Sequence, residues 1–321
     1  EVSVVAGLVN DTGVISYDFG NFQINPTEQV TVIEDSALEP EVTSIETGGD
    51  TLTIASYNVL NLDPNADDGD DDAGVTRFDE IARQIVENLG EPDIVALQEI
   101  QDNSGSENDG VVAADETLAK LVEALGVYTA SYEFIDNTFI ANNSSGGRPG
   151  GNIRTAFLYN PDRVDLDPAS VQAIGSQEPG EAFDGARLPL VATFAFNDEE
   201  VTVVNNHFSS KGGSAPILGV EQDFAARQED PSVNGSLDER QAQSAAVRDH
   251  IAAILADDPL AKVAAIGDFN EFEFVSPVAA FEEEPLSFVN LTDQLPADER
   301  YSFIFQGNSQ ALDHIAVSPE L

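Results

Sequence analysis

Along residues 1–34 apolar and polar positions alternate: Val2 and Val4, Tyr17 and Phe19, Phe22 and Ile24, Val30 and Val32, punctuated by Gly7, Gly13, Gly20 and Pro26. A period of two broken by turn residues predicts short strands, a small β segment. Residues 35–50 are polar and acidic and predict a linker. From Thr51 onward strands alternate with helices. Thr51–Leu60 reads as a strand. Arg77–Leu89 places Phe78, Ile81, Ile85, Val86 and Leu89 on one helical face. Asp93–Ile100 is an apolar run of the kind found in a buried strand. Asp115–Leu125 predicts a helix through Leu118, Leu121, Val122 and Leu125, with Gly126 to close it. Ile153–Tyr159, Leu188–Phe196 and Val201–His207 predict strands. Ser236 and Glu239 have the spacing of a capping box, opening a helix that runs to about Ala256. Lys262–Phe269 and Leu312–Ser318 are the last predicted strands. The run Asp67–Asp72 lacks the glycine and closing-Glu spacing of an EF-hand and reads as a solvated loop. There is no internal repeat. The alternation points to α/β or α+β for residues 51–321.

Composition narrows this picture. The 321 residues allow two domains or one large unit, and 41% hydrophobic residues suffice for a sizeable core. No apolar run approaches the roughly 18 residues of a membrane span, and no signal-peptide pattern opens the chain at Glu1. The absence of Cys excludes disulfides, zinc–thiolate sites and thiol nucleophiles. Acidic residues number 59 against 13 basic ones, for a net charge of −46. The acids are spread along the whole chain. That favours a folded protein working in brine, where a Debye length of about 3 Å at 1 M salt screens their repulsion. A marine or calcium-rich extracellular setting is the alternative. Five Asn-x-Ser/Thr sequons, at Asn10, Asn142, Asn143, Asn234 and Asn290, add weak support for a secreted or cell-surface protein. Arg148, Arg154, Arg187 and Lys211 lie beside the motifs below. They read as contacts for an anionic substrate or as ordinary salt-bridge partners.

Five segments carry polar residues where a core would not want them. Asn58 lies in SYNVLN. Glu99 closes the apolar IVALQEI, where a carboxylate is costly unless it meets a cation. His207 in NNHFSSK is two residues from Asn205, so a strand puts both on one face. Asp268 and Asn270 in GDFNE share that spacing, and Asp313 lies in ALDHIAV. In this order, SYNVLN, LQEI, NNHFSSKGG, GDFNEF and ALDHIAVS resemble the successive motifs of the endonuclease/exonuclease/phosphatase (DNase I-like) superfamily. They are most similar to its extracellular nuclease-like branch, over about residues 51–320. Residues 1–34 resemble the tail of the small β domain that precedes the catalytic domain in that branch.

The resemblance implies an α+β fold: a two-sheet β-sandwich flanked by helices in four layers, with the site at one end between the sheets. It implies that Asn58 and Glu99 hold Mg2+ or Mn2+, with Ca2+ as an alternative, through hard oxygen ligands. The ion would polarise a phosphoryl oxygen. Asp268 would orient or deprotonate the attacking water, Asn270 would bind the phosphate, and His207 would donate to a phosphate oxygen. Arg154, Arg187, Asn205 and Lys211 are the further candidates for phosphate binding. The implied partner is a nucleic acid, DNA with RNA as a second substrate.

One departure stands out. In the family the Asp matched by Asp313 orients a second catalytic His in a later motif, and the chain ends at Leu321 before any such motif. His250 reads as a surface residue of a helix. His314 follows Asp313 on a strand and so faces the other way. The last strands of one sheet are also expected to be missing, leaving an unpaired edge. A fragment of a longer chain or a crippled catalyst are the readings this leaves. The same residues leave open a phosphomonoesterase, a phospholipid headgroup hydrolase, or a non-catalytic module of a larger extracellular or surface assembly.

Overall fold

The computed structural model of the chain describes residues 7–8, 12–18, 21–34, 40–67, 75–128, 131–215, 227–305 and 308–321. The N-terminal segment holds β1 (Gly7–Leu8), β2 (Gly13–Asp18), β3 (Asn21–Pro26) and β4 (Val32–Glu34). β2 and β3 form an antiparallel hairpin, and β1 pairs with β4. The expected positions Val2, Val4 and Phe19 lie outside the described residues, as does 68–72 of the Asp-rich run. Residues 40–50 are more than a linker. Asn88 donates to the Glu41 carbonyl at 2.7 Å, Thr43 N–H to the Asn88 carbonyl, and Arg163 to the Gly48 carbonyl at 2.8 Å.

The remaining elements run β5 (Ile54–Leu62), α1 (Val75–Glu87), β6 (Ile94–Ile100), α2 (Asp115–Leu125), β7 (Glu133–Asp136), β8 (Arg154–Tyr159), β9 (Asp165–Ala173), β10 (Leu190–Phe196), β11 (Glu199–His207), α3 (Leu237–Asp257), β12 (Lys262–Asp268), α4 (Ser276–Ala279), β13 (Val289–Asn290), β14 (Phe303–Phe305), β15 (Asn308–Gln310) and β16 (Asp313–Val317). Among the described residues one sheet has the order β5-β6-β8-β7, the other β13-β16-β12-β11-β10-β9.

Side-chain alternation explains the four layers. On β6, Val95 and Leu97 face a core shared with Phe78, Ile81, Ile85, Leu118 and Leu121 of α1 and α2. Ile94 and Ala96 face inward to a second core with Phe157, Leu190, Phe194, Val203 and Ile266. On the far side, Val204, Val263 and Ala265 pack against Val247 and Ile251 of α3. The expected α+β sandwich with helices on both outer faces is therefore observed. The inner layer includes Phe157 and Phe194 edge to face at 5.9 Å. Truncating either to Ala would cost about 3–5 kcal/mol.

Several local expectations are corrected. Ser236 takes a left-handed conformation (φ 55°) and makes no side-chain cap bond, so Ser236 and Glu239 form no capping box. Gly126 does close α2, but in the right-handed region (φ −60°), not as a left-handed cap. The edge strand β9 was hidden by Pro168 and by charges on a largely exposed run. His250 is half-buried, its Nε2 enclosed without a hydrogen-bond partner, not a surface group. Asn234 and Asn290 are buried, which leaves no room for a glycan at those two sequons.

Candidate functional site

Three adjacent strands of the larger sheet align one row of polar residues. In the ladder His207 is registered with Asp268 across the parallel β11–β12 pair, and Asp268 with Asp313 across the antiparallel β12–β16 pair. All three side chains therefore leave the same face. Gly267 permits this approach. Its φ is +133°, and a Cβ there would meet the Asn206 carbonyl oxygen at 2.1 Å.

The smaller sheet supplies the opposing groups. Asn58 is registered with Gln98. It continues the inward-facing series of Ile54 and Ser56. Glu99 by parity would face the helices, like Val95 and Leu97. A register shift between Leu97 and Ile100, with a φ of 63° at Glu99, breaks that parity. Leu60 and Asn61 also lie at positive φ, 54° and 55°, so both sides of this strand end are bent. The Asn61 N–H donates to Glu99 Oε2 at 3.1 Å.

The two halves meet. Asn58 Nδ2 donates to Glu99 Oε1 at 3.0 Å and to Asp268 Oδ2 at 3.1 Å. His207 Nε2 lies 3.8 Å from each of these oxygens. Ligand atoms of Glu99, His207 and Asp268 lie within 4.8 Å of one another. Burial, then the charge of Asp313, pushes the Asp268 carboxyl up to about 8, against the Asn270 N–H, Asn58 and Arg187. Asp313 is pushed up to about 6 by burial, opposed by the Ser302 side chain and aided by Glu99. Burial, then the Arg187 charge, holds His207 well below its ordinary value, so its ring is neutral at pH 7. Its Nδ1 is enclosed without a hydrogen-bond partner.

Arg187 is the expected phosphate contact that stays near this cluster. It is buried, feels Asp268 and Glu99, and donates one N–H to the Phe208 carbonyl, while its Nε has no partner. The other three expected phosphate contacts are engaged elsewhere. Arg154 is 1% exposed and bonds Asp136 at 3.1 Å, the Asn152 carbonyl at 3.2 Å and the Val112 carbonyl. Asn205 donates to the Leu97 and Ala156 carbonyls at 2.9 and 2.8 Å and accepts from Gln98, which makes it a staple between the sheets. Lys211 bonds Asn234 at 2.7 Å and the Glu271 carboxylate. Burial brings its ammonium down to about 8, against the attraction of Glu271. In each case the donors serve buried protein acceptors. Asn270 lies beyond the strand end at φ 49°, where its N–H donates to Asp268 Oδ1 at 2.8 Å and its amide to the Phe208 carbonyl at 3.0 Å. His314 faces away as expected, with Nε2 at 2.8 Å from the Glu271 carbonyl.

Sequence reasoning missed the group behind His207. Glu271, fully buried, accepts from Arg240 Nε at 3.1 Å and from Asn234 at 2.7 Å, besides Lys211. Arg240 and Gln243 of α3 in turn hold the Ser209 backbone, at 3.0 and 2.9 Å. A Glu inside FNEF, flanked by aromatic residues, was the available signal.

The sequence profile of the Endonuclease/Exonuclease/phosphatase family matches residues 55–321. The chain belongs to this family. No curated protein sequence matches it. Solved structures share the family fold. The human Nocturnin catalytic domain with bound sulfate is 15% identical, with 84% of this chain and 83% of that one covered, at a TM-score of 0.52. An endonuclease/exonuclease/phosphatase family protein from Bacteroides thetaiotaomicron is 19% identical over 84% and 83%, at 0.51. A mannosyl-6-phosphatase from the same organism is 18% identical over 84% and 86%, at 0.51. The donor set here fits a divalent cation of the hard-oxygen type. Three carboxylates, Glu99, Asp268 and Asp313, converge in a largely buried place with Arg187 as the nearby cation, and two of them resist ionisation.

Proposed function

We propose that this family member is a divalent-metal-dependent phosphodiesterase that hydrolyses nucleic acid, DNA first and RNA second, outside the cell in a salt-rich setting. The observation that carries the reading is the meeting of Asn58, Glu99, His207 and Asp268 from strand ends of two sheets, with Asp313 one strand away. Glu99 and Asp268 would hold Mg2+ or Mn2+, Ca2+ being the alternative, with His207 beside them; Asn58, expected as a ligand, turns its Nδ2 to both carboxylates and its Oδ1 to the Leu60 N–H, and so would position the carboxylates. When bound, the ion would supply Lewis-acid polarisation of a phosphoryl oxygen.

The protein's own groups divide the remaining work. Asp268, its carboxyl brought to about 8, is mostly protonated at pH 7, and its ionised form, which grows as the pH rises towards 8, is the one that would accept a proton from an attacking water. Asn58 and the Asn270 N–H hold both of its oxygens in place. The neutral His207 offers an N–H toward the anionic centre, where a fixed donor lowers the barrier as charge builds. Arg187 places a positive charge in the same buried region. The charge of Asp313 makes the Asp268 carboxylate the stronger base.

The reading is tested by DNA hydrolysis with Mn2+ or Mg2+ at low and high salt. Glu99→Gln and His207→Ala are expected to lower the rate by about 10²–10⁴-fold. Unchanged rates in both variants would remove the site. The charge of −46 favours a second reading, a phosphomonoesterase with a small substrate, because phosphate neutralisation by Lys and Arg supplies most nonspecific affinity for DNA. A panel of DNA, RNA, nucleotides and sugar phosphates separates the two. Residues 1–34 as the tail of a separate β domain, with 51–321 as the catalytic domain, belong to the same proposal.

A further inference from the structure

The hairpin β14–β15 stands at the catalytic end of the larger sheet. Ser302, which precedes it, accepts the Asp313 N–H at 3.0 Å and the Leu312 N–H at 3.1 Å, and its own N–H donates to the Gln310 carbonyl. The hairpin is thereby fastened to the strand that carries Asp313. Its side chains break the usual surface rule. Phe303, Ile304 and Phe305 are 47%, 53% and 50% exposed. Phe303 and Phe305 alternate along β14 and so share a face, their rings 17° from parallel with centroids 6.3 Å apart. A second aromatic pair lies beside Leu312, the residue before Asp313. Phe272 packs with Leu312 and stacks with Phe274 at 5.4 Å and 8°.

Exposed rings clustered beside a candidate phosphodiester site mark a contact surface. The charge distribution says what kind. Arg154 and Lys211 are consumed by buried acceptors, so few phosphates of a long strand find a cation here. Attraction must come from another part of the substrate. Stacking of bases on aromatic rings is sequence-tolerant, because every base has a π-face. It does require bases that are not already stacked in a duplex.

We propose that Phe303 and Phe305 form a stacking shelf for the unpaired bases of a single-stranded nucleic acid whose phosphodiester lies at the Glu99–Asp268 cluster. The inference rests on the functional reading above and adds its strand preference. Stacking carries affinity with little counterion release, so binding of single strands falls only shallowly with salt.

The test has two arms. In the first, the wild-type chain with Mn2+ is given bis(p-nitrophenyl) phosphate, a phosphodiester without bases. In the second, a single-stranded oligonucleotide carrying 2-aminopurine is titrated into the wild type, Phe303→Leu/Phe305→Leu and Phe303→Tyr/Phe305→Tyr. All three are first matched by thermal melting. Quenching of 2-aminopurine by the wild type and the Tyr variant, with a KM about tenfold higher for the Leu variant on single strands and little change on duplex, is the expected result. Hydrolysis of the small diester without quenching, or with equal KM in the Leu variant, would overturn the shelf alone. Failure of the wild type on the small diester and on the oligonucleotide would overturn the functional reading and the shelf with it.

Discussion

Replacing Asp313 with Asn isolates the electrostatic cost of the site. The carboxyl of Asp313 rises from 3.8 to about 6 on folding. A raised acid binds its proton more tightly when folded. Its contribution to stability is therefore fully present below pH 3.8 and is lost as the pH climbs through about 6. The rise of about two units corresponds to about 3 kcal/mol in the high-pH limit. At pH 5 about half of that cost is already felt, because the unfolded acid is ionised while the folded one is still protonated. The Asn variant is uncharged at both values. Its stability relative to wild type should be at least about 1–2 kcal/mol better at pH 8 than at pH 5, because losing the Asp313 charge also relieves Asp268. In a chain of 321 residues that is a relative shift of about 2 °C in Tm. The assay is thermal unfolding by circular dichroism after chelation, at fixed high salt, for both proteins at both pH values. Any hydrogen bond lost by the substitution enters equally at the two pH values and cancels. An identical offset between variant and wild type at pH 5 and pH 8 would refute the claim that this carboxylate is held against its charge.

Further outcomes follow from the same geometry. Mn2+ at about 100 times its Kd should stabilise the wild type by about 2.7 kcal/mol at pH 8, and Glu99→Gln should abolish that gain in the same melting assay. Arg154→Met should lower stability by about 3–5 kcal/mol by leaving Asp136 unpaired, while KM for a phosphodiester in the folded fraction stays unchanged; a KM effect without a stability loss would return Arg154 to the substrate. Asn205→Leu should cost about 2–4 kcal/mol in denaturant unfolding, since the Leu97 and Ala156 carbonyls lose their donor.

The sandwich was legible because strands covered on both faces are written as continuous apolar runs such as Ile94–Ile100 and Lys262–Asp268. The edge strand β9 was not, since an exposed strand has no hydrophobic alternation to read. The cluster of Asn58, Glu99, His207, Asp268 and Asp313 was legible from polar residues closing apolar strands. The phosphate contacts were not. Arg154, Asn205 and Lys211 are also polar groups near strand ends, and sequence does not say whether such a group faces solvent or a buried carbonyl. Asn205 illustrates this: it shares a strand face with His207, yet two residues of rise put it between the sheets rather than at their rim. Glu99 illustrates the converse, because only the backbone bend at its φ of 63° turns an outward position into a site position.

His207, Asp268 and Asp313 owe their mutual spacing to the rungs of one ladder, while Asn58 and Glu99 hang from the other sheet. The distance across the gap is thus set by the girth of the filling between the sheets, by Phe157, Leu190, Phe194 and Ile266. A thicker or thinner filling opens or narrows the jaws without altering any tooth. Residues far from the cluster thereby become a gauge for how wide the mouth stands.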